Sequence, residues 1–391
     1  MTRFDFTTPI DRRGSGAIKY APHPKFPDAD VLPFWVADMD FAVAPAIRDA
    51  LQAKLDHGVF GYEGISDAYR DAVTGWLSRR FGWQPDPKGL ITTPGIVFAV
   101  ATAIRAFTNP EEAVLIQNPV YFPFAGLVKK NGRRLVETTL ALKDGHYEID
   151  FAEFERQIAE NDVKLFVLCS PHNPTGRVWT REELDRMAAI CAAHRVIVFS
   201  DEIHCDFVWP GRRHTPFANL SPEAAAMAIV GTAPSKTFNL AGLQGSNLFI
   251  ADASLRRRYQ NALAAQGFGA PNNLAMAATV AAYNAGEPWL TGLLAHLAGN
   301  IAALREALAD TPIRLIAPEG TYLMWLDCRA LGLADDALEA FFVEDAGLWL
   351  NAGITFGSAG SGFMRMNLAC PRVALDAGIA RLRTALAQRG K

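Results

Sequence analysis

The chain has 391 residues, half of them hydrophobic and a fifth charged, with a net charge of −3. That length exceeds one ordinary core and predicts about two to three domains. Both charge signs are mixed with no basic tail, which excludes nucleic acid as a principal partner, and no apolar run approaches the ~20 residues of a membrane helix.

The first 45 residues are rich in proline and read as an irregular arm, with no apolar stretch of the kind a secretory signal needs. Helices are predicted over Pro45–Asp56, Ser66–Phe81 and Ile96–Phe107. Short runs that are apolar throughout follow, at Ala113–Gln117, Lys164–Cys169, Val196–Ser200, Ala228–Gly231 and Leu248–Ala251. Such runs suit strands buried on both faces. A helix over Glu182–His194 lies between two of them, so a mainly parallel sheet covered by helices is expected. Beyond residue 285 the pattern changes. A long helix over Trp289–Leu308 leads to strands at Ile313–Ala317, Tyr322–Asp327 and Phe363–Leu368, with helices at Asp335–Asp345 and Val373–Gln388. The fold class read from this order is α/β, divided into an arm (1–45), a large domain (46–285) and a smaller α+β domain (286–391). One continuous α/β domain is the alternative.

Ligands of parallel α/β sheets sit beyond the carboxyl ends of the strands. Three such ends carry suggestive residues: Ser170-Pro171-His172-Asn173-Pro174-Thr175-Gly176, Ser200-Asp201-Glu202-Ile203-His204 and Ser235-Lys236-Thr237-Phe238-Asn239. Each has a plain reading of its own. Asn173–Gly176 can be a turn, Asp201 a helix cap and Lys236 a solvated surface lysine. Together, and in this order, they bring an amide, a carboxylate and an amine to one crevice.

These three segments resemble the signatures of the fold-type-I pyridoxal-5′-phosphate (PLP) enzymes, the aspartate-aminotransferase-like superfamily. Pro33-Phe34-Trp35-Val36-Ala37-Asp38-Met39-Asp40-Phe41, His57–Tyr62 and Val178-Trp179-Thr180 resemble one branch of it, the cysteine-S-conjugate β-lyases of the MalY/PatB type, which include cystathionine β-lyases. The resemblance implies that Lys236 forms an imine with the PLP aldehyde and, once freed, takes the substrate's Cα proton. It assigns Asp201 to the ring nitrogen, Asn173 to the phenolic oxygen and Tyr121 to the ring face. The phosphate falls to Gly95, Ile96 and Val97 at a helix start, with Ser235 as a second candidate. Arg365 becomes the fork for the substrate carboxylate, which Asn173 and Tyr121 also border. Tyr62 is implied to reach the phosphate of a neighbouring subunit, making a homodimer. The plain readings of Tyr121 and Tyr62 are core and loop packing.

Three positions depart from the wider superfamily. His204 stands where many aminotransferases have a tyrosine, which alters how the phenolic oxygen is held. Ala233 replaces a phosphate-binding serine. Gln244 replaces a phosphate-binding arginine and favours lyase over transaminase. His204-Cys205-Asp206 with His214 matches no common zinc spacing, so no metal is expected. The glycines at 353, 357, 360 and 362 follow no strand–helix start and read as a loop. The five cysteines (Cys169, Cys191, Cys205, Cys328, Cys370) form no C-x-x-C pair, and reduced thiols in a cytoplasmic protein are expected. The expected function is a PLP-dependent carbon–sulfur β-lyase acting on a small amino-acid substrate. The alternatives are an aminotransferase and a regulatory protein-binding role on the same scaffold.

Overall fold

The computed structural model describes residues 4–389; residues 1–3 of the arm and 390–391 of the last segment lie outside them. A seven-stranded sheet forms the centre, in the spatial order Leu90–Thr93, Ser246–Phe249, Ala228–Thr232, Ile197–Asp201, Val163–Cys169, Ala113–Asn118, Arg134–Thr139. Only Ser246–Phe249 runs against its neighbours; the other pairs are parallel. Both faces are covered. Val114, Ile116, Leu165, Val167, Phe199 and Ile229 pack with the helix Ile96–Phe107. Leu115, Phe166, Leu168, Val198 and Val230 point into the larger core on the other side. Alternate residues of one strand thus enter opposite cores, which is why these runs are apolar throughout.

Local chemistry sets the helix ends. Ser66 caps Asp67–Phe81 by accepting from Tyr69 N at 3.2 Å, and Gly82 closes it in the left-handed region at φ 66°. Thr180 and Glu183 form a reciprocal capping box at the start of Arg181–Ala193. The expected strand Leu248–Ala251 lies two residues earlier, at Ser246–Phe249. Its first two residues are polar and buried: Ser246 Oγ meets Thr93 Oγ1 at 2.7 Å, and Asn247 Oδ1 accepts from Tyr69 Oη at 2.6 Å. An apolar run cannot reveal such a strand. Leu90–Thr93 and Arg134–Thr139 escape for the same reason, since one ends in two threonines and the other alternates along a sheet edge.

The C-terminal part holds an antiparallel sheet in the order Arg314–Leu315, Leu323–Asp327, Phe363–Asn367, Asn351–Ala352. The long helix Glu287–Leu308 precedes it. The helix expected over Asp335–Asp345 divides into an α-helix, Asp335–Ala340, and a wider π turn, Phe341–Asp345. The arm joins this part of the chain, because Leu32–Pro33 pairs in parallel with Leu348–Trp349. No helix among the described residues is long and apolar enough to cross a membrane.

The glycines after residue 352 allow backbone to pack on backbone. A Cβ on Gly353 would lie 2.2 Å from Gly360 O and 2.4 Å from Phe363 O. Neither oxygen can swing aside as a side chain could. Gly353→Ala is expected to destabilise the protein by about 1–3 kcal/mol, measured as a lower urea midpoint at unchanged slope. A midpoint equal to wild type would contradict this packing.

Candidate active site

Asp201, Cys169 and Asn118 are the last residues of three neighbouring parallel strands, and Thr232 ends a fourth. The loops that follow converge on a small cavity of about 90 Å³. Lys236, Asp201, Asn173, Tyr121, His204 and Arg365 all line it, joined by Trp35, Val36, Ala37, Phe122, Cys169, Ile203 and Asn351. Six residues spread over the sequence from 121 to 365 therefore share one wall.

Lys236 sits in the helical turn Pro234–Thr237 directly after a strand. Its Nζ donates to the Ala37 carbonyl at 2.7 Å. Burial lowers the amine's pKa to about 8, and the nearby charge of Arg365 adds to this; Asp38 and Asp201 oppose it. Asp201 shows the converse. Burial raises its carboxyl to about 7, against the pull of the Ile203 N–H and of Lys236. The Ile203 N–H donates to its Oδ1 at 3.2 Å. Burial holds His204 uncharged, and the cations Lys236 and Arg365 reinforce this.

Arg365 is buried within the strand Phe363–Asn367. Its Nη1 donates to Asn173 Oδ1 at 3.0 Å, and its Nη2 to Trp35 O at 2.7 Å and to Asn351 Oδ1. Its guanidinium carbon lies 4.9 Å from the Phe356 ring centroid. Burial lowers its pKa to about 10. All these partners are neutral, so among the described residues no carboxylate pairs with it. Arg365 Nε and His204 Nδ1 are buried without a hydrogen-bond partner. Lone buried polar atoms of this kind are costly and mark places where a ligand belongs.

The helix start carrying Gly95, Ile96 and Val97 lies outside that wall. Gly95 caps the helix at φ 123°, and nothing lies within 4 Å of the Cβ it lacks. Ile96 packs beside Gly231, in the strand that leads to Lys236. Ser235 is half-buried in the turn of Lys236. Tyr62 is fully exposed and borders a separate cleft with Pro94, Gln244 and Gly267–Asn273. His214 bonds Glu202 at 2.9 Å, and no group of three or more metal-ligating side chains occurs among the described residues.

Residues 29–382 match the family model described as aminotransferase class I and II. The chain belongs to that family. Cystathionine β-lyase PatB of Bacillus subtilis is 41% identical over 379 residues, which cover 96% of this chain and 98% of the relative. The crystal structure of cystalysin from Treponema denticola, which contains a pyridoxal 5′-phosphate cofactor, matches with a TM-score of 0.96 at 36% identity over 99% of each chain. A PLP-bound C–S lyase from Staphylococcus hominis matches with a TM-score of 0.92 at 31% identity over 98% of each.

Sequence reading assigned no role to Trp35, Ala37, Asn351 or Tyr322. Ala37 enters through its carbonyl, which side-chain chemistry cannot signal. Asn351 reaches Arg365 because the two are paired across strands, a register no local pattern encodes. Tyr322 Oη donates to the same Ala37 carbonyl at 3.3 Å.

The raised Asp201 pKa has a consequence for stability. The folded state holds this proton more tightly than the unfolded state, so its contribution is full below the ordinary value of 3.8 and is lost as pH rises to about 7. Each pH unit in that window costs about 1.4 kcal/mol at most. Asp201→Asn, which carries no charge, is expected to raise the melting temperature of the cofactor-free protein at pH 8 and to leave it unchanged near pH 4. An equal effect at both pH values would contradict the burial of that charge.

Proposed function

We propose that the protein is a PLP-dependent carbon–sulfur β-lyase that cleaves cystathionine or a related cysteine S-conjugate to pyruvate, ammonia and a thiol. The observation that carries this reading is one cavity that unites a half-buried amine, a buried acid and a guanidinium without an acid partner. The residues fit the cofactor. Lys236 would hold its aldehyde carbon, Asp201 its ring nitrogen, Asn173 its phenolic oxygen and Tyr121 its ring face, with His204 bordering the same space. The open backbone before Ile96, together with Val97 and Ser235, would hold the phosphate. When bound, PLP supplies a sink for the electron pair left by the broken Cα–H bond.

The protein's own groups do the rest. Arg365 takes the substrate carboxylate through its free Nε edge and orients Cα. The amine of Lys236, lowered to about 8, is partly uncharged near neutral pH and accepts the Cα proton. Asp201 would pair with the ring nitrogen and keep it protonated. The Cβ–S bond then breaks, the departing sulfur takes the proton held by Lys236 and leaves as a thiol, and the remaining three-carbon enamine takes up water to give pyruvate and ammonia.

The name and 41% identity of PatB support the lyase, as does the uncharged Gln244 beside Pro94. The family model's description keeps transamination as the second reading. Tyr62, with Val59 and Phe60 also exposed on its loop, supports a homodimer in which that loop meets a neighbour's site. The five cysteines, all buried and unbridged, support a reducing cytoplasm.

Given L-cystathionine and no keto acid, the purified protein is expected to form pyruvate over many turnovers. A single burst that stops after one equivalent would favour transamination instead. Lys236→Ala should lower kcat by at least about a hundredfold. Arg365→Gln should raise KM about tenfold or more, read from steady-state kinetics, whereas an unchanged KM would remove Arg365 from substrate binding.

A further inference from the structure

A strap of seven residues, Trp35–Phe41, crosses the cavity, and its carbonyls hold the groups that react. Trp35 O accepts from Arg365 and Ala37 O from Lys236. Val36 O and Asp38 O accept from Asn367 Nδ2 at 2.6 and 2.8 Å. Met39 O and Phe41 O accept from Asn239 Nδ2 at 3.0 and 2.9 Å. Any shift of this strap moves the Lys236 amine and the Arg365 fork together.

Two acids on the strap, Asp38 and Asp40, face two cations from the N-terminal arm. Arg12 grips both oxygens of Asp38, with Nη2–Oδ2 at 2.8 Å, and its Nη1 reaches Asp40 Oδ1 at 3.0 Å and Met39 O at 3.2 Å. Lys19, fully buried, donates to Asp40 Oδ2 at 2.6 Å and to Asp38 O at 3.2 Å. The Arg12 guanidinium also lies 5.7 Å from the Tyr20 ring centroid. Two cations thus balance two acids at partly buried positions, where screening by water is weak. The acid next to Ala37 already acts on the amine that Ala37 holds, and without these cations it would act more strongly.

We propose that Arg12 is a positioning residue for the reaction, fixing the Trp35–Phe41 strap over the cavity and neutralising Asp38 behind the Lys236 amine. Arg12 touches none of the reacting atoms and acts through Asp38. The charged and titratable groups around that amine are Arg365, Asp38, Asp201 and His204, with Tyr121 and Cys169 on the same wall and the Tyr322 hydroxyl on the shared carbonyl. Of these, Asp38 raises the amine's pKa and Arg365 lowers it. Loss of Arg12 leaves Asp38 uncompensated, so the amine should hold its proton to higher pH. The inference rests on Lys236 being the reacting amine.

The test is the pH dependence of Lys236 acetylation by acetic anhydride in full-length protein stripped of cofactor, read peptide by peptide by mass spectrometry. Exposed lysines of the same sample serve as the internal reference. Arg12→Gln is expected to move the Lys236 midpoint up by about one pH unit, a tenfold loss of free amine below it. Arg12→Lys should return it towards wild type. Asp38→Asn should move it down, and Arg12→Gln with Asp38→Asn should match Asp38→Asn alone. In the holoenzyme, the rising limb of the kcat–pH profile should move in the same directions. If Arg12→Gln does not fold, the Arg12→Lys and Asp38→Asn midpoints decide. A midpoint that stays at wild type in both Arg12→Gln and Asp38→Asn overturns the proposal, as does a shift in Arg12→Gln that persists when Asp38 is also removed. The labelling uses no substrate, so expected midpoints in a protein that cleaves no conjugate would sink the lyase reading and leave this inference standing.

Discussion

An amine partly withdrawn from water can remain ready to react only if its surroundings withhold stable solvation of the ammonium form. Lys236 meets that condition. Its Nζ has a neutral carbonyl as partner, the guanidinium of Arg365 nearby and two acids, Asp38 and Asp201, that partly offset both. The balance comes to about 8, within reach of neutral pH. Removal of the burial alone would return the group to an ordinary surface lysine, charged and inert as a base. The parallel strands, the strap and the C-terminal sheet can each be seen as holding one part of this balance.

The segment from Asp201 to Phe207 shows how the framework keeps these parts still. Asp201 and His204 face the cavity, whereas Glu202 and Asp206 are buried on the other side. Glu202 accepts from Ser200 Oγ and Phe217 N, each at 2.9 Å, and meets His214 at the same distance. Asp206 accepts from Trp76 Nε1 at 3.3 Å, Arg80 Nε at 3.2 Å and Thr237 Oγ1 at 2.8 Å. Thr237 directly follows Lys236, so Asp206 ties the turn of the amine to the turn that follows Asp201. Buried polar networks whose members are satisfied hold side chains to one geometry. The two polar atoms in the wall without a partner, on Arg365 and His204, are then the exceptions.

Much of this was legible before any coordinates. Runs such as Lys164–Cys169 announce strands buried on both faces, and the polar residues just beyond them mark the crevice. Lys236, Asp201, Asn173, Tyr121, His204 and Arg365 all reach one wall. The signal weakened wherever polar residues were buried by pairing with each other, as at Ser246 and Asn247. It failed for backbone groups and long-range register. Nothing local tells that Ala37 will hold an amine 199 positions away or that Asn351 will lie beside Arg365. The stretch of glycines read as a loop winds through two short 3₁₀ turns, Gly353–Phe356 and Ser358–Gly360, and its tight backbone contacts at Gly353 and Gly360 depend on tertiary packing.

Covalent capture of the cofactor tests the account most directly. Protein saturated with pyridoxal phosphate is reduced with borohydride, digested and sequenced by mass spectrometry. A phosphopyridoxyl group on Lys236, and on no other lysine at comparable yield, is the predicted result. Adducts spread over surface lysines with Lys236 unmodified would contradict it.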